Sequence, residues 1–364
     1  MHVVIATGLY PPEIGGPATF SVFLEKGLKE KHIGCTVVPF SSVRHFPKVI
    51  RHIAYFFKVV RAIRRDSIVL ALDPVSVGFP ALLAARIRGA PFYLRAGGDY
   101  AWEQAVQRWG FTGLPEEFPG TFALPIAGRV LVWTEKYVAR HAKRVLTQSG
   151  HLASIVARWG VEEGKISVVP NSVSLPVLPT RDEARKQFNF GDEPVIVSSG
   201  RFVPWKGFAA VINAYSIVRK DFKDARLILA GNGPERAALA LKNHMVQFPG
   251  SLSKEGLFTL LRAADVFVLN TRYEGFSHQI LEAMAVGVPV VTTNIPGNRD
   301  LAEDEKTALL VNFNDEAALA LTIKRLLTNP QLREKIVRGA HERALTFTPE
   351  RSFKESCKAI GIDV

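Results

Sequence analysis

Cysteine is nearly missing from these 364 residues: there are 2, Cys35 and Cys357, with no Cys-x-x-Cys pair and no Cys/His cluster. A disulfide framework or a zinc finger therefore has no material, and a reducing, cytosolic setting is expected. No run approaches the ~18 uninterrupted apolar residues of a membrane span. The opening MHVVIATGLYPPEIGGPATF lacks the basic start and long apolar core of a signal peptide. Any meeting with a membrane is expected to be on its surface. Also missing are an Asp-x-Asp string, a His-Glu-x-x-His pair, a Gly-x-Ser-x-Gly elbow and a Walker Gly-Lys-Ser/Thr. No short repeat or low-complexity tract interrupts the chain.

What is present is a compact composition, 47% hydrophobic and 22% charged, and at ~150 residues per domain the length predicts two domains. Short β-branched runs alternate with longer amphipathic ones, the pattern of βαβ units and parallel sheets covered by helices. Strands are expected at His2–Ala6, Cys35–Phe40, Ser67–Leu72, Pro91–Leu94, Val145–Thr147 and Ile166–Val169. A second set falls at Pro194–Ser198, Ala225–Leu229, Met245–Phe248, Val266–Leu269, Val288–Thr292 and Ala308–Val311. The fold class is α/β, with two doubly wound, Rossmann-like domains. Their joint falls at Ser172–Gly191, where Pro176 and Pro179 interrupt regular structure before the charged run Arg181–Lys186 starts a helix. The net charge of +12 is uneven: residues 1–180 hold 21 basic and 12 acidic side chains, a net +9, and residues 181–364 hold 25 and 22, a net +3.

Open parallel sheets bind ligands beyond the carboxyl ends of their strands, so three strand-to-helix loops stand out. In the first, Tyr10-Pro11-Pro12-Glu13-Ile14-Gly15-Gly16-Pro17 leads into a helix at about Ala18–Glu30, whose N-terminus presents free N–H groups to an anion. In the second, Arg201 and Lys206 of SGRFVPWKG emerge near the end of a buried strand, where two cations can reach one diphosphate. The third, NTRYEGFSHQILEAMA, has Ser277 as N-cap and Ile280, Leu281, Met284 and Ala285 as the buried stripe. Glu274 stands in this loop at the mouth of the site. Glu282 lies one helical turn from His278, off the stripe, and the backbone N–H groups of Gly275, Phe276 and Ser277 face phosphate oxygens.

Glu274 and Glu282, with seven residues between them inside EGFSHQILEAMAVGVPVV, resemble the Glu-x7-Glu motif of family-4 retaining glycosyltransferases of the GT-B fold. SGRFVPWKG resembles that family's diphosphate-binding Arg and Lys, AGNGPER its Gly-x-Gly-Pro-Glu turn, VVPNSV its Pro-Asn strand before the interdomain link, and YPPEIGGPA its first glycine loop. The motifs stand in the family's order over nearly the whole chain. The resemblance implies a metal-independent hexosyltransferase without cofactor, with a nucleotide-diphosphate sugar as donor and a glycan or lipid-linked acceptor. Its two domains would face each other across a cleft, residues 1–175 on the acceptor side with 349–364 packing back on them, and 176–348 binding the nucleotide sugar. The domains would close on the donor. Arg201 and Lys206 would hold the diphosphate and Glu282 the ribose hydroxyls. Glu274, Gly275, Phe276 and Ser277 would line the sugar and phosphates, with Asn232 and Gly233 at the base and Gly15 and Gly16 in the first loop. Where many relatives carry a His that contacts the sugar, this chain has Asp99, which either accepts a sugar hydroxyl or caps a helix starting near Tyr100.

Two other classes compete. A sugar-nucleotide epimerase of the same fold would need the nucleotide site but no acceptor. A basic nucleic-acid-binding protein would suit the charge, but no helix-turn-helix, RNA-recognition or zinc signature is present, and no nucleic-acid partner is expected. The excess charge has a second use. Residues 44–65 hold seven Lys/Arg and no acid, and on a helical wheel Val49, Ile50, Ile53, Phe56, Phe57, Val60 and Ile63 share one face, expected to cover the sheet. The opposite basic face would hold the protein reversibly on the anionic inner surface of the cell membrane.

Overall fold

The computed structural model describes every residue but Ile14. The chain forms two compact units, Met1–Pro170 with Glu350–Val364, and Asn171–Pro349. In the first unit the strands are β1 (His2–Thr7), β2 (Gly34–Pro39), β3 (Ser67–Ala71), β4 (Phe92–Arg95), β5 (Arg144–Thr147) and β6 (Ile166–Val168). In the second they are β7 (Val195–Ser199), β8 (Arg226–Ala230), β9 (Val246–Gly250), β10 (Val266–Leu269), β11 (Val290–Thr293) and β12 (Leu309–Val311). Each set is one parallel sheet, ordered β2-β1-β3-β4-β5-β6 and β12-β11-β10-β7-β8-β9. All twelve expected strands are present, shifted by no more than two residues at either end. Their sequences read as near-continuous apolar runs because helices cover both faces. Every residue of β1 and of β7 is buried.

In the second unit two hydrophobic clusters flank the sheet, one around Phe267, Leu281 and Met284, the other around Val211, Val268 and Ile323. Arg185 is buried at the start of this unit and donates to the carbonyls of Gly191, Ala263 and Glu193 at 2.7, 3.0 and 2.6 Å. In the first unit the C-terminal helix Pro349–Ala359 closes the core. Phe353 lies against Gly27 and meets Phe23 edge-on at 6.4 Å, and Cys357 and Ile360 join Val3, Ile5 and Leu24. Ser352 Oγ donates to Pro170 O at 3.0 Å.

The helix Lys48–Ala62 departs from expectation. Its buried residues are Tyr55 and Val59, with Ile63 just beyond its end, whereas Val49, Ile50, Ile53 and Phe57 are each more than half exposed. The apolar stripe read from the wheel is therefore split, and most of it faces water. The reason is topological: this helix follows β2, the edge strand, so no neighbouring strand lies beyond it to cover its outer flank. Tyr55 secures the inner flank by donating its hydroxyl to Val38 O at 2.6 Å. No helix among the described residues is long and apolar enough to cross a membrane.

Candidate active site

The loops that follow β7 and β8 extend the sheet's pairing beyond the strands. Gly200 N donates to Ala230 O at 3.0 Å, Phe202 N to Asn232 O at 2.9 Å and Glu235 N to Phe202 O at 3.2 Å. This approach requires glycine at 231, where φ is +140° and a Cβ would stand 1.9 Å from Gly200 O. Asn232 is exposed, its amide oxygen accepting from Gly233 N at 2.9 Å, and Gly233 packs closely on the Phe202 backbone. Arg201 is exposed, with its guanidinium 5.5 Å from the centre of the Trp205 ring.

The loop after β10 is bound to the same turn. Arg272 N and Thr271 Oγ1 donate to Trp205 O at 2.7 and 3.1 Å, and Asn270 Nδ2 donates to Gly207 O at 2.9 Å and Asn314 Oδ1 at 2.8 Å. Gly207 has φ +51° and leaves no room for a side chain against Asn270. The result is that Lys206 and Glu274, 68 residues apart, form an ion pair whose side chains are 11% and 16% exposed. Ser277 caps the helix His278–Val286 by accepting from Ile280 N at 3.3 Å. Gly275 and Phe276 are buried, with Phe276 packed on Phe347 at 5.4 Å and its carbonyl accepting from Asn171 Nδ2 at 3.3 Å. Burial pushes the Glu282 carboxyl up to about 7, against the pull of Lys254. Among the described residues Glu282 accepts no hydrogen bond, so a half-buried acid is left for a ligand to satisfy.

In the first unit, Gly16 opens the helix Gly16–Glu30, two residues earlier than expected, and Gly15 precedes it. Arg44 braces this loop by pairing with Glu13 and donating to Gly8 O at 2.7 Å. Of the two roles open to Asp99, the structure shows the cap: it is buried, and its Oδ1 accepts from Trp102 N at 2.7 Å. Glu135 Oε1 accepts from Tyr100 N at 2.9 Å, and Asp99, Glu135 and Trp159 line one small cavity. The cap is what the structure shows of Asp99, which is 2% exposed within its own domain. Burial raises Asp99 to about 6 and holds Glu135 well above the usual carboxyl range. An acid raised on folding contributes stability below its unfolded value near 3.8 that is lost as pH rises through about 6. Glu135→Gln is therefore expected to flatten the fall in stability between about pH 4 and 7 and to raise the melting temperature at pH 8. Parallel pH profiles of the two proteins would contradict this.

Three placements were missed in the sequence. Asp73, at the end of β3, accepts from the backbone N–H of Val75, Ser76 and Val77 at 2.9, 2.5 and 3.4 Å, and burial raises it to about 6. Its signal was the Asp-Pro that follows a strand. Asn270, which holds the Gly207 turn, had no local signal beyond its place at the end of a strand, and Asn171, which holds the Phe276 loop, stood in the Pro-Asn of VVPNSV with nothing local to name its partner.

Comparison with known proteins bears on this arrangement. Residues 1–172 match the family model of the glycosyl transferase 4-like domain, and residues 180–343 that of glycosyl transferases group 1. The lipopolysaccharide core biosynthesis glycosyltransferase LpsD of Rhizobium meliloti is 32% identical over 172 residues, 45% of this chain and 48% of that protein. The phosphatidyl-myo-inositol mannosyltransferase of Mycobacterium leprae is 30% identical over 217 residues, 58% and 55% of the two chains. The chain thus spans about half the length of the curated relatives it matches. Among solved structures, sucrose-phosphate synthase from Thermosynechococcus elongatus superposes with a TM-score of 0.80 at 20% identity, covering 98% of this chain and 97% of its own. Anabaena HepE, in complex with UDP and glucose, gives 0.77 at 18% identity, covering 98% of both. With two glycosyltransferase family models end to end along it, and a six-stranded parallel sheet in each unit, this chain belongs to the family-4-type glycosyltransferases of the GT-B fold.

Proposed function

We propose that this enzyme moves a hexose from a nucleoside-diphosphate sugar, held by the Asn171–Pro349 unit, to a glycan or lipid-linked acceptor held by the first, with retention at the anomeric carbon. The observation that carries this is the convergence of Arg201, Lys206 and Glu274 on loops tied together at the carboxyl edge of one sheet. Arg201 and Lys206 neutralise the diphosphate as the glycosidic bond breaks, a stabilisation strongest in the transition state. Backbone N–H groups at Gly275, Phe276 and Ser277 take phosphate oxygens, and Glu274 takes a sugar hydroxyl. Glu282 accepts from the ribose diol, and Asn232 and Gly233 flank the base. Two fixed cations and a helix N-terminus meet the charge requirement, so the reaction is expected to run in the presence of a chelator. Gly15 and Gly16 serve the first unit's loop, and Asp99 acts there as a positioning residue.

The test is a thermal-shift panel with UDP, GDP, ADP and dTDP, followed by transfer from the matching sugar nucleotide and assignment of the product anomer. The panel spans both bases seen among similar proteins, since the HepE structure holds UDP and a Mycolicibacterium smegmatis relative is a GDP-mannose-dependent mannosyltransferase. No response to any of the four would refute the reading. Donor turnover that does not depend on an acceptor would favour the epimerase instead.

Glu282 adds a pH dependence. A carboxyl raised to about 7 is half neutral at that pH, and only its ionised form can accept both ribose protons. Nucleotide affinity is expected to rise from pH 6 to 8 and to lose that slope in Glu282→Gln, while Glu274→Ala chiefly slows transfer. Titrations at both pH values check this, and equal affinity losses in the two variants would refute the division.

The membrane completes this reading. Val49, Ile50, Ile53 and Phe57 face water beside exposed Lys48, Lys58, Arg61, Arg64 and Arg65. An anionic leaflet satisfies both at ~1 kcal/mol per cation plus the buried apolar area. The protein is expected to float with phosphatidylglycerol vesicles at low salt, to be released at high salt, and to stay behind with neutral vesicles. Ile50→Glu with Ile53→Glu should abolish flotation; unchanged flotation of that variant would place the contact elsewhere.

A further inference from the structure

We propose that the Lys206–Glu274 ion pair discriminates the sugar-bearing nucleotide from the bare nucleoside diphosphate, so that the donor is held and the product let go. This rests on the reading of the site as one for nucleotide sugars. An ammonium offers three donors and a carboxylate about four acceptor positions, and each of these side chains spends its capacity on the other alone among the described residues. A nearly buried pair satisfied this sparsely is open to exchange for richer partners. The backbones that carry it are not open to exchange. Lys206 is followed by Gly207, clamped by Asn270, and Glu274 is preceded by Thr271 and Arg272, both bonded to Trp205 O. The two charges can therefore be parted only by side-chain rotation, and something must occupy each when they part.

A bare diphosphate offers a partner to Lys206 only. Glu274 then keeps a desolvated negative charge next to the phosphate, and competes with it for the ammonium. A nucleotide sugar brings hydroxyl donors as well, so Glu274 turns to the sugar as Lys206 turns to the phosphate, and one ion pair is exchanged for two satisfied contacts. After transfer the hydroxyls leave with the sugar, Glu274 returns to Lys206, and the diphosphate loses its cation. Specificity here is a difference of affinities set by a built-in competitor.

The experiment is calorimetric titration of the wild type, Glu274→Gln, Lys206→Met and the double variant with UDP and GDP, and with UDP-glucose, UDP-N-acetylglucosamine and GDP-mannose. Glutamine keeps the size of the side chain and removes the charge, and melting temperatures recorded alongside report the fold. Glu274→Gln is expected to bind the nucleoside diphosphate about tenfold tighter than the wild type, with the sugar nucleotide unchanged or weaker. Lys206→Met should weaken both ligands, and in the double variant the gain from glutamine should vanish. A Glu274→Gln protein that binds UDP and GDP no more tightly than the wild type overturns the proposal. The underlying site reading fails separately, and takes the proposal with it, if the wild type binds none of these five ligands and neither ADP nor dTDP, or if Lys206→Met leaves every affinity unchanged.

Discussion

Arg201→Ala and Lys206→Ala are each expected to slow sugar transfer about a hundredfold, since losing one charge-assisted donor to a departing anion typically costs ~3 kcal/mol of barrier. The structure separates the two in stability. Arg201 is exposed and rests on the Trp205 ring, so its removal should leave the melting temperature close to that of the wild type. Lys206 is the counter-charge of a nearly buried Glu274, so its removal strands a carboxylate and should also lower the melting temperature. Adding Glu274→Gln to Lys206→Ala should recover that stability without recovering turnover. Steady-state kinetics with thermal melts on the four proteins would show this, and near-normal turnover in both single variants would remove the diphosphate assignment.

Gly231→Ala should produce the largest loss of stability among conservative substitutions in the second unit. The added methyl would meet the Gly200 carbonyl at 1.9 Å, backbone against backbone, and φ at 231 is +140°, which side-chain-bearing residues rarely adopt. Relief requires the loops after β7 and β8 to part, with loss of the bonds from Gly200 N and Phe202 N. A cost of about 3 kcal/mol is expected, which for a unit of this size lowers the melting temperature by roughly 6–12 °C. Because Arg201 and Asn232 ride on those loops, nucleotide affinity should fall with it. Gly16→Ala is the matched control, as no atom of the described residues lies within 4 Å of a Cβ placed there. A Gly231→Ala protein that melts with the wild type would mean that the loop joint is not rigid.

The strands and their parallel direction were determined locally. A strand covered on both faces must be apolar throughout, so runs such as HVVIAT and VIVSS announce themselves, and Ser277 announces the helix it caps. Loop chemistry was legible to the same extent, because parallel sheets place functional side chains where strands end. What no periodicity could state is which distant groups meet. The partner of Lys206 lies 68 residues along the chain, that of the Phe276 carbonyl 105, and Glu135 reaches the cap at Tyr100 N over 35. Each of these contacts exists because strand order brings two loops to one edge or stacks two helices, and strand order follows from the packing of the whole sheet. The helix Lys48–Ala62 shows the limit most plainly: its amphipathic pattern is local, but which part of the apolar face met water was decided by β2 standing at the edge of the sheet, with no strand beyond it.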